Sequence, residues 1–379
     1  MRNSLLLVSL LVLVMTTGCW DRQEINDIAL VLATGVDYVA QKEVEISVEV
    51  KILEGELSSG GGGSTDQTTF VQSARGNTLA EAISVLQQKF SRELFWGHNR
   101  VIVFDEEFVR RRLISDELDY FTRFPESRIR DRVVISHTKA KKLLSEIPHL
   151  EKSSAELIRE LLEVRLGIMV TIRDVLQSIK EDRMGTVIPV VDLANDMYGA
   201  SQGKQQIELV GSAIFKEGHL IDVIDVGLTR GLLWFRNEID KATVTIEPEE
   251  EEGFISTYMI HAETKLIPEI QDGQLKMTVQ AISEDDVIQN TTGLNLSEID
   301  TLKSVERQLE ERIQGRLEET AERVQKQLKS DVFGFGIVFN QQYPDEWKEL
   351  RDNWDGTFAT IDIEYDVKVH VRRLGLSAR

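Results

Sequence analysis

The sequence predicts an α+β protein of three domains, with mixed or antiparallel sheets and one long amphipathic helix in its C-terminal region. Three patterns carry that expectation. Between Glu43 and Leu53, apolar Val44, Ile46, Val48, Val50 and Ile52 alternate with Glu45, Ser47, Glu49 and Lys51, the period of two that marks a half-buried strand. From Ile299 to Leu328, the residues Ile299, Leu302, Val305, Leu309, Ile313, Leu317, Ala321, Val324 and Leu328 recur at intervals of about 3.6, the α-helical repeat. Elsewhere short apolar runs alternate with capped amphipathic segments, which is how helices and strands share one chain.

The elements follow in order. The first strand ends in Gly55 to Thr69, whose Ser58 to Ser64 core has the composition of a flexible linker. No lysine followed by Ser or Thr trails these glycines, so the run is not a phosphate-cradling loop. Thr78 and Glu81 have capping-box spacing, and Leu79, Ala82, Ile83, Leu86 and Phe90 then place a helix over 78–90. Arg100 to Phe104 and Arg132 to Ser136 read as short core strands, and Asp116 to Phe124 and Lys139 to Ile147 as helices. Ser153 with Glu156, and Thr171 with Asp174, open two more helices.

From Thr186 the texture changes. Val187 to Val191 is strand-like, Asn195 to Gly203 is a polar link, and Ile207 to Phe215 pairs with His219 to Val226 around the turn Lys216-Glu217-Gly218. A short helical segment ends near Trp234 and Phe235. Strands then follow near Ala242–Ile246, Phe254–Leu266 and Gln274–Ser283, before the long helix, which Ser297 and Asp300 open. Phe333 to Phe339 and Thr357 to Val371 are expected as closing strands. The expected division is 1–18 as a leader, 19–188 as an N-terminal α/β-type domain, 189–238 as a small middle domain and 239–379 as a C-terminal α+β domain.

Met1 to Gly18 has the parts of a secretion signal: Arg2, an apolar run from Leu5 to Met15, and small Thr16, Thr17 and Gly18 before the single cysteine, Cys19. The run is too short to span a bilayer, which takes about 20 apolar residues. Cleavage before Cys19, with Thr16, Thr17 and Gly18 as its recognition context, would leave that thiol to carry an S-diacylglyceryl group and the new terminus an N-acyl chain. Two or more chains anchor stably where one does not. Trp20, next to the acylated residue, is the expected partner or interface contact.

Charge bounds the rest. Forty-four basic and 64 acidic residues give a formal net charge of −20, which repels nucleic-acid phosphates and anionic headgroups alike. The lipid is therefore expected to hold the protein without help from a basic patch. Enzymatic constellations are thin. His98, His137, His149, His219, His261 and His370 lack the spacing of a zinc helix, Glu247 to Glu252 and Asp285-Asp286 lack that of a calcium loop, and Gly334 and Gly336 are expected to pack within a strand. No catalytic, cofactor-binding or metal-ligating residue is expected, and no cofactor beyond the lipid on Cys19.

Several segments carry a resemblance. They are Cys19-Trp20-Asp21-Arg22-Gln23-Glu24-Ile25 running to Val31, Thr34-Gly35-Val36-Asp37, Ala74 to Ala82, Phe95-Trp96-Gly97-His98, Arg128-Ile129-Arg130, Phe333-Gly334-Phe335-Gly336, Pro344-Asp345-Glu346-Trp347 and Val367 to Val371. In order and spacing the mature chain resembles the Ger(x)C family, lipoprotein C subunits of spore nutrient germinant receptors. Asn99 departs from the pattern, standing where that family usually carries an apolar residue. The resemblance implies a non-catalytic subunit on the outer face of the spore inner membrane, working with polytopic A and B subunits. The alternative is a lipid-anchored extracytoplasmic protein that itself captures a small nutrient between domains.

Overall fold

The computed structural model describes residues 27–52, 68–146, 148, 150–181, 185–195 and 205–375. Nine of the described strands form one sheet. Strand β1 (Ile28–Ala40) lies inside it, with antiparallel β2 (Glu43–Lys51) and then β3 (Thr69–Gly76) on one side. On the other side parallel β5 (Val101–Asp105), β6 (Arg132–Ser136) and β7 (Thr186–Asn195) follow, then antiparallel β8 (Gln205–Lys216) and β9 (His219–Asp225). The short β4 (Glu93–Phe95) pairs with the first residues of β1.

Both faces of this sheet are covered. On β5, Ile102 and Phe104 join one apolar cluster while Val101 and Val103 join the other, as the two-residue repeat requires. The first cluster takes helices α1 (Leu79–Gln87), α2 (Glu106–Arg111) and α3 (Ile114–Arg123). The second takes α4 (Ala140–Leu144) and α5 (Ser154–Glu163). Helix α6 (Ile172–Glu181) adds Ile172 and Val175 to the first. The expected caps are present: Thr78, Ser153 and Thr171 accept from the backbone N–H of Glu81, Glu156 and Asp174.

Residues 189–238, expected to stand apart as a middle domain, instead continue this sheet. Pairing of β6 with β7 and of β7 with β8 carries its hydrogen bonds through, so the expected boundary falls inside β7. The β8–β9 turn has two central residues at positive φ, Glu217 (50°) and Gly218 (80°), the primed geometry whose twist suits a hairpin. Helix α7 (Val226–Phe235) then leaves β9, its first turn capped by Asp225 on the N–H of Leu228.

The second sheet has the order β10 (Thr243–Ile246), β11 (Ile255–Gln271), β12 (Gln274–Asn290) and β13 (Asp362–Arg373). β12 and β13 run parallel, so the chain crosses over between them through the long helix α8 (Ile299–Ala321). The last turns of that helix, Glu322–Leu328, widen to π geometry and end at Lys329 in the left-handed region. Its stripe is buried from Val305 to Val324, whereas Ile299 is 71% exposed. The N-cap is Glu298, without a side-chain hydrogen bond, in place of the expected Ser297.

One expected strand is a helix. Phe335–Gln342 forms α9, followed by α10 (Pro344–Leu350) and α11 (Trp354–Phe358), and β13 starts only at Asp362. A short apolar run does not distinguish strand from buried helix by periodicity. Asp331 decides the matter by accepting the N–H groups of Gly334, Phe335 and Gly336, so the glycine pair opens a helix.

Candidate functional site

The expected site residues, Thr16, Thr17, Gly18, Cys19 and Trp20, lie outside the described residues. What the structure shows is where the chain that follows them enters the fold. It enters at Ile28, directly into an interior strand, and of the segments singled out in the sequence Thr34 to Asp37, Phe95 to His98 and Arg128 to Arg130 gather around that strand.

Thr34 of β1 hydroxyl-bonds to Asn99 Oδ1 at 2.9 Å and receives Trp96 Nε1–H at 3.3 Å, while Asn99 Nδ2 donates to Asp131 Oδ2 at 2.7 Å. All four side chains are buried. Asn99, the departure from the family pattern, is thus the bridge of this network. Burial pushes Asp131 up to about 6, against the Asn99 hydrogen bond and the nearby Arg128 and Arg130. His98 turns outward beside Phe95, and its value is held below the usual histidine range by partial burial and by Arg128, Arg100 and Lys51. Of these cations Arg100 is paired with Glu156, while Arg128 and Arg130 are exposed.

At the other end of β1, Asp37 is 3% exposed and accepts the N–H groups of Ala140 (2.6 Å) and Lys141 (2.9 Å), which open α4. Gly35 makes room for that helix, since a Cβ there would meet Ser47 Oγ at 2.5 Å and the Ala140 Cβ at 2.9 Å. Burial outweighs these hydrogen bonds and pushes Asp37 up to about 6. Neighbouring Asp105 caps α2 through Phe108 N–H and contacts Lys139. On β2, buried Glu49 does for α5 what Asp37 does for α4, accepting from Ser154 (3.0 Å) and Ala155 (2.9 Å). Its value also rises through burial. A carboxylate aimed at unpaired helix N–H groups satisfies donors that have no partner within the helix.

Asp331 is the corresponding residue in the C-terminal half. Besides the three N–H groups of α9 it accepts Trp354 Nε1–H at 3.0 Å, and burial is again the largest effect on it, raising its value. Around it Phe235 stacks on Phe333 at 3.9 Å between centroids, and Trp347 meets Trp354 at 4.7 Å. The acidic run is also engaged: Glu249 N–H and the Glu250 carboxylate both bond Gln308 of α8.

Asp131 and Asp331 were not singled out from the sequence, and Asp37 and Glu49 were named there only within a segment and a strand, although an acid set among apolar strand neighbours, as in Val36-Asp37 or Val48-Glu49-Val50, is a signal that could have drawn attention to them. Asp37, Glu49 and Asp331 each accept backbone N–H groups, an arrangement suited to fixing helices. Among the described residues no group of three or more His, Cys, Asp or Glu could hold a metal ion, and no helix is long and apolar enough to cross a membrane.

Comparison with known proteins accounts for most of the chain. The model of the spore germination protein N-terminal domain matches residues 21–193, and that of the spore germination B3/GerAC-like C-terminal region matches 210–375. Spore germination protein KC of Bacillus subtilis (strain 168) is 26% identical over 391 residues, covering 98% of this chain and 95% of that protein. Spore germination proteins B3 and A3 of the same organism are 21% and 23% identical, each with 94–95% of both chains covered. Among solved structures, the crystal structure of the GerBC protein shares the fold with a TM-score of 0.60 at 15% identity, covering 89% of this chain and 96% of that one.

Proposed function

The chain belongs to the Ger(x)C family of spore germination proteins, and on that premise we propose that it is the lipid-anchored, non-catalytic C subunit of a spore nutrient germinant receptor. The observation that carries this is coverage: both halves match their respective family models, and relatives named for spore germination align with nearly the whole chain.

In this proposal Cys19 carries the lipid and places the protein on the outer face of the spore inner membrane. Polytopic A and B subunits are its partners, and the two sheets serve as a scaffold for docking. The pinned helices support such a role, because a docking surface must keep its shape before the partner arrives. Trp20, adjacent to the lipid, is the proposed contact with headgroups or partner.

The test is Cys19→Ala in the full chain, followed by membrane fractionation, recovery of the partner subunits and nutrient-triggered germination. The expected result is a folded protein lost from the membrane fraction, with weakened germination. Full retention of the variant expressed without its partners would remove the lipid from the proposal. Germination at the normal rate in spores lacking the protein would remove the receptor role.

A further inference from the structure

Helices α7 and α8 cross at Gly231, where a Cβ would come within 2.0 Å of Thr320 Oγ1 and 3.0 Å of the Arg316 carbonyl. That close approach brings together two side-chain pairs, each one helical turn apart: Arg230 and Trp234 on α7, Arg312 and Arg316 on α8. With Thr243 and Thr245 of β10 as a wall they line a cleft of about 200 Å³. The volume is below that of pockets for drug-sized molecules, roughly 300–1,000 Å³, and suits something smaller.

The charge of this cleft runs against the rest of the molecule. In a chain of net charge −20, three guanidinium groups meet there, and none forms a salt bridge among the described residues. Arg316 is tied by a 3.0 Å hydrogen bond to the Gly227 carbonyl, a neutral partner. Burial holds its value below the usual arginine range, and Arg312 and Arg230 push it the same way. The acids felt by Arg316 are Glu319 and Asp225, and Asp225 is already engaged in capping α7. Other acids of α8 point elsewhere, Glu310 to the N–H of Val369 and Glu311 to Arg307. Like charges one turn apart on a helix repel, so Arg312 and Arg316 gain from an anion that the chain itself does not supply.

We propose that the cleft between α7, α8 and β10 binds a small soluble anion bearing a carboxylate or phosphate group, held by Arg230, Arg312 and Arg316 with Trp234 in the wall. Guanidinium forks pair with both groups through two parallel hydrogen bonds. The Thr243 hydroxyl of β10 adds orientation, whereas that of Thr245 is engaged with Ser256 Oγ at 2.9 Å. The site goes beyond the role proposed above and does not depend on the lipid, so failure of one leaves the other standing.

The experiment titrates the full chain with inorganic phosphate and with citrate in calorimetry, at ionic strength matched with sodium chloride. Wild type is expected to give a saturable isotherm with one site per chain for at least one of the two. Arg230→Gln/Arg312→Gln is expected to weaken it at least ten-fold, and Arg312→Lys, which keeps the charge but not the fork, to weaken it less. Melting of the unliganded Arg312→Gln variant should be unchanged or higher, since a repulsion is removed, and this serves as the folding control. Short-chain phosphatidylglycerol is the third titrant: binding tighter than that of both free anions would overturn a soluble ligand in favour of a lipid headgroup. Equal binding by wild type and the double variant, or heats that never saturate, would overturn the site.

Discussion

In the first sheet α4 and α5 are five and ten residues long, and each begins on a carboxylate about a hundred residues upstream, Asp37 or Glu49. In the second, α8 runs for 23 residues and is held by its own stripe, with Val305, Leu309, Ile313, Leu317 and Val324 all buried. A helix under about a dozen residues is marginal alone, because nucleation costs more than its few hydrogen bonds return. Short helices therefore depend on distant polar contacts, and a long one on the sheet beneath it. Helices α4 and α5 are pinned at their starts by a few directional bonds, and α8 is held along its length by area.

The comparison breaks first at the stripe. Leu317→Asp puts an unpaired charge at a site with 0% exposure and should cost more than about 3 kcal/mol, read as loss of a cooperative transition or a large fall in urea midpoint. Glu318→Lys, on the exposed face of the same turn, should melt within about 0.5 kcal/mol of wild type. Equal melting of the two would mean that area does not hold α8.

The polar half is tested by Asp37→Ala, which leaves two N–H groups of α4 without their acceptor and should cost about 2–3 kcal/mol. Asp37→Asn keeps one acceptor and should cost roughly half as much. Hydrogen exchange at Ala140 and Lys141 is the direct measurement. Protection unchanged in Asp37→Ala would show that the helix is held by packing of Leu143 and Leu144 instead.

Acidity sharpens the contrast. Asp37 and Asp131 are both raised from 3.8 to about 6, so between those values the folded state binds more protons than the unfolded. Their contribution is complete below about 4 and is lost as pH rises through 6. From pH 7 down to pH 5 stability should grow, by on the order of 1 kcal/mol per group. Asp37→Asn should flatten that slope. A slope unaltered in the variant would assign the effect to overall charge.

The smallest effect is a gain. A Cβ at Gly315, in mid-α8, would meet nothing within 4 Å, so Gly315→Ala should stabilise by up to about 1 kcal/mol, seen as a small rise in melting temperature. A fall would mean that the helix bends there by necessity.

What was legible in the sequence follows the same division. The α8 stripe could be read because its signal is local and repeats, and it failed at Ile299, which is exposed. The hairpin at Glu217-Gly218 was legible through turn chemistry. The strand β3 was hidden behind the glycine-rich run, and Phe333 to Phe339 was misassigned because its conformation depends on Asp331. Residues 189–238 were set apart because their texture changes, whereas sheet membership rests on pairing between strands far apart in sequence. Asp37 and Glu49 could not be recognised as caps, since their helices lie about a hundred residues away.

The position of β1 has a mechanical consequence. The chain from the N terminus enters the fold through a strand with neighbours on both sides, β2 in one direction and β4 and β5 in the other. A pull applied at Ile28 along the strand loads both ladders in shear, so many hydrogen bonds resist together. The same pull on an edge strand such as β9 would meet a single ladder. Tension arriving at this end should be passed into the body of the sheet before any strand gives way.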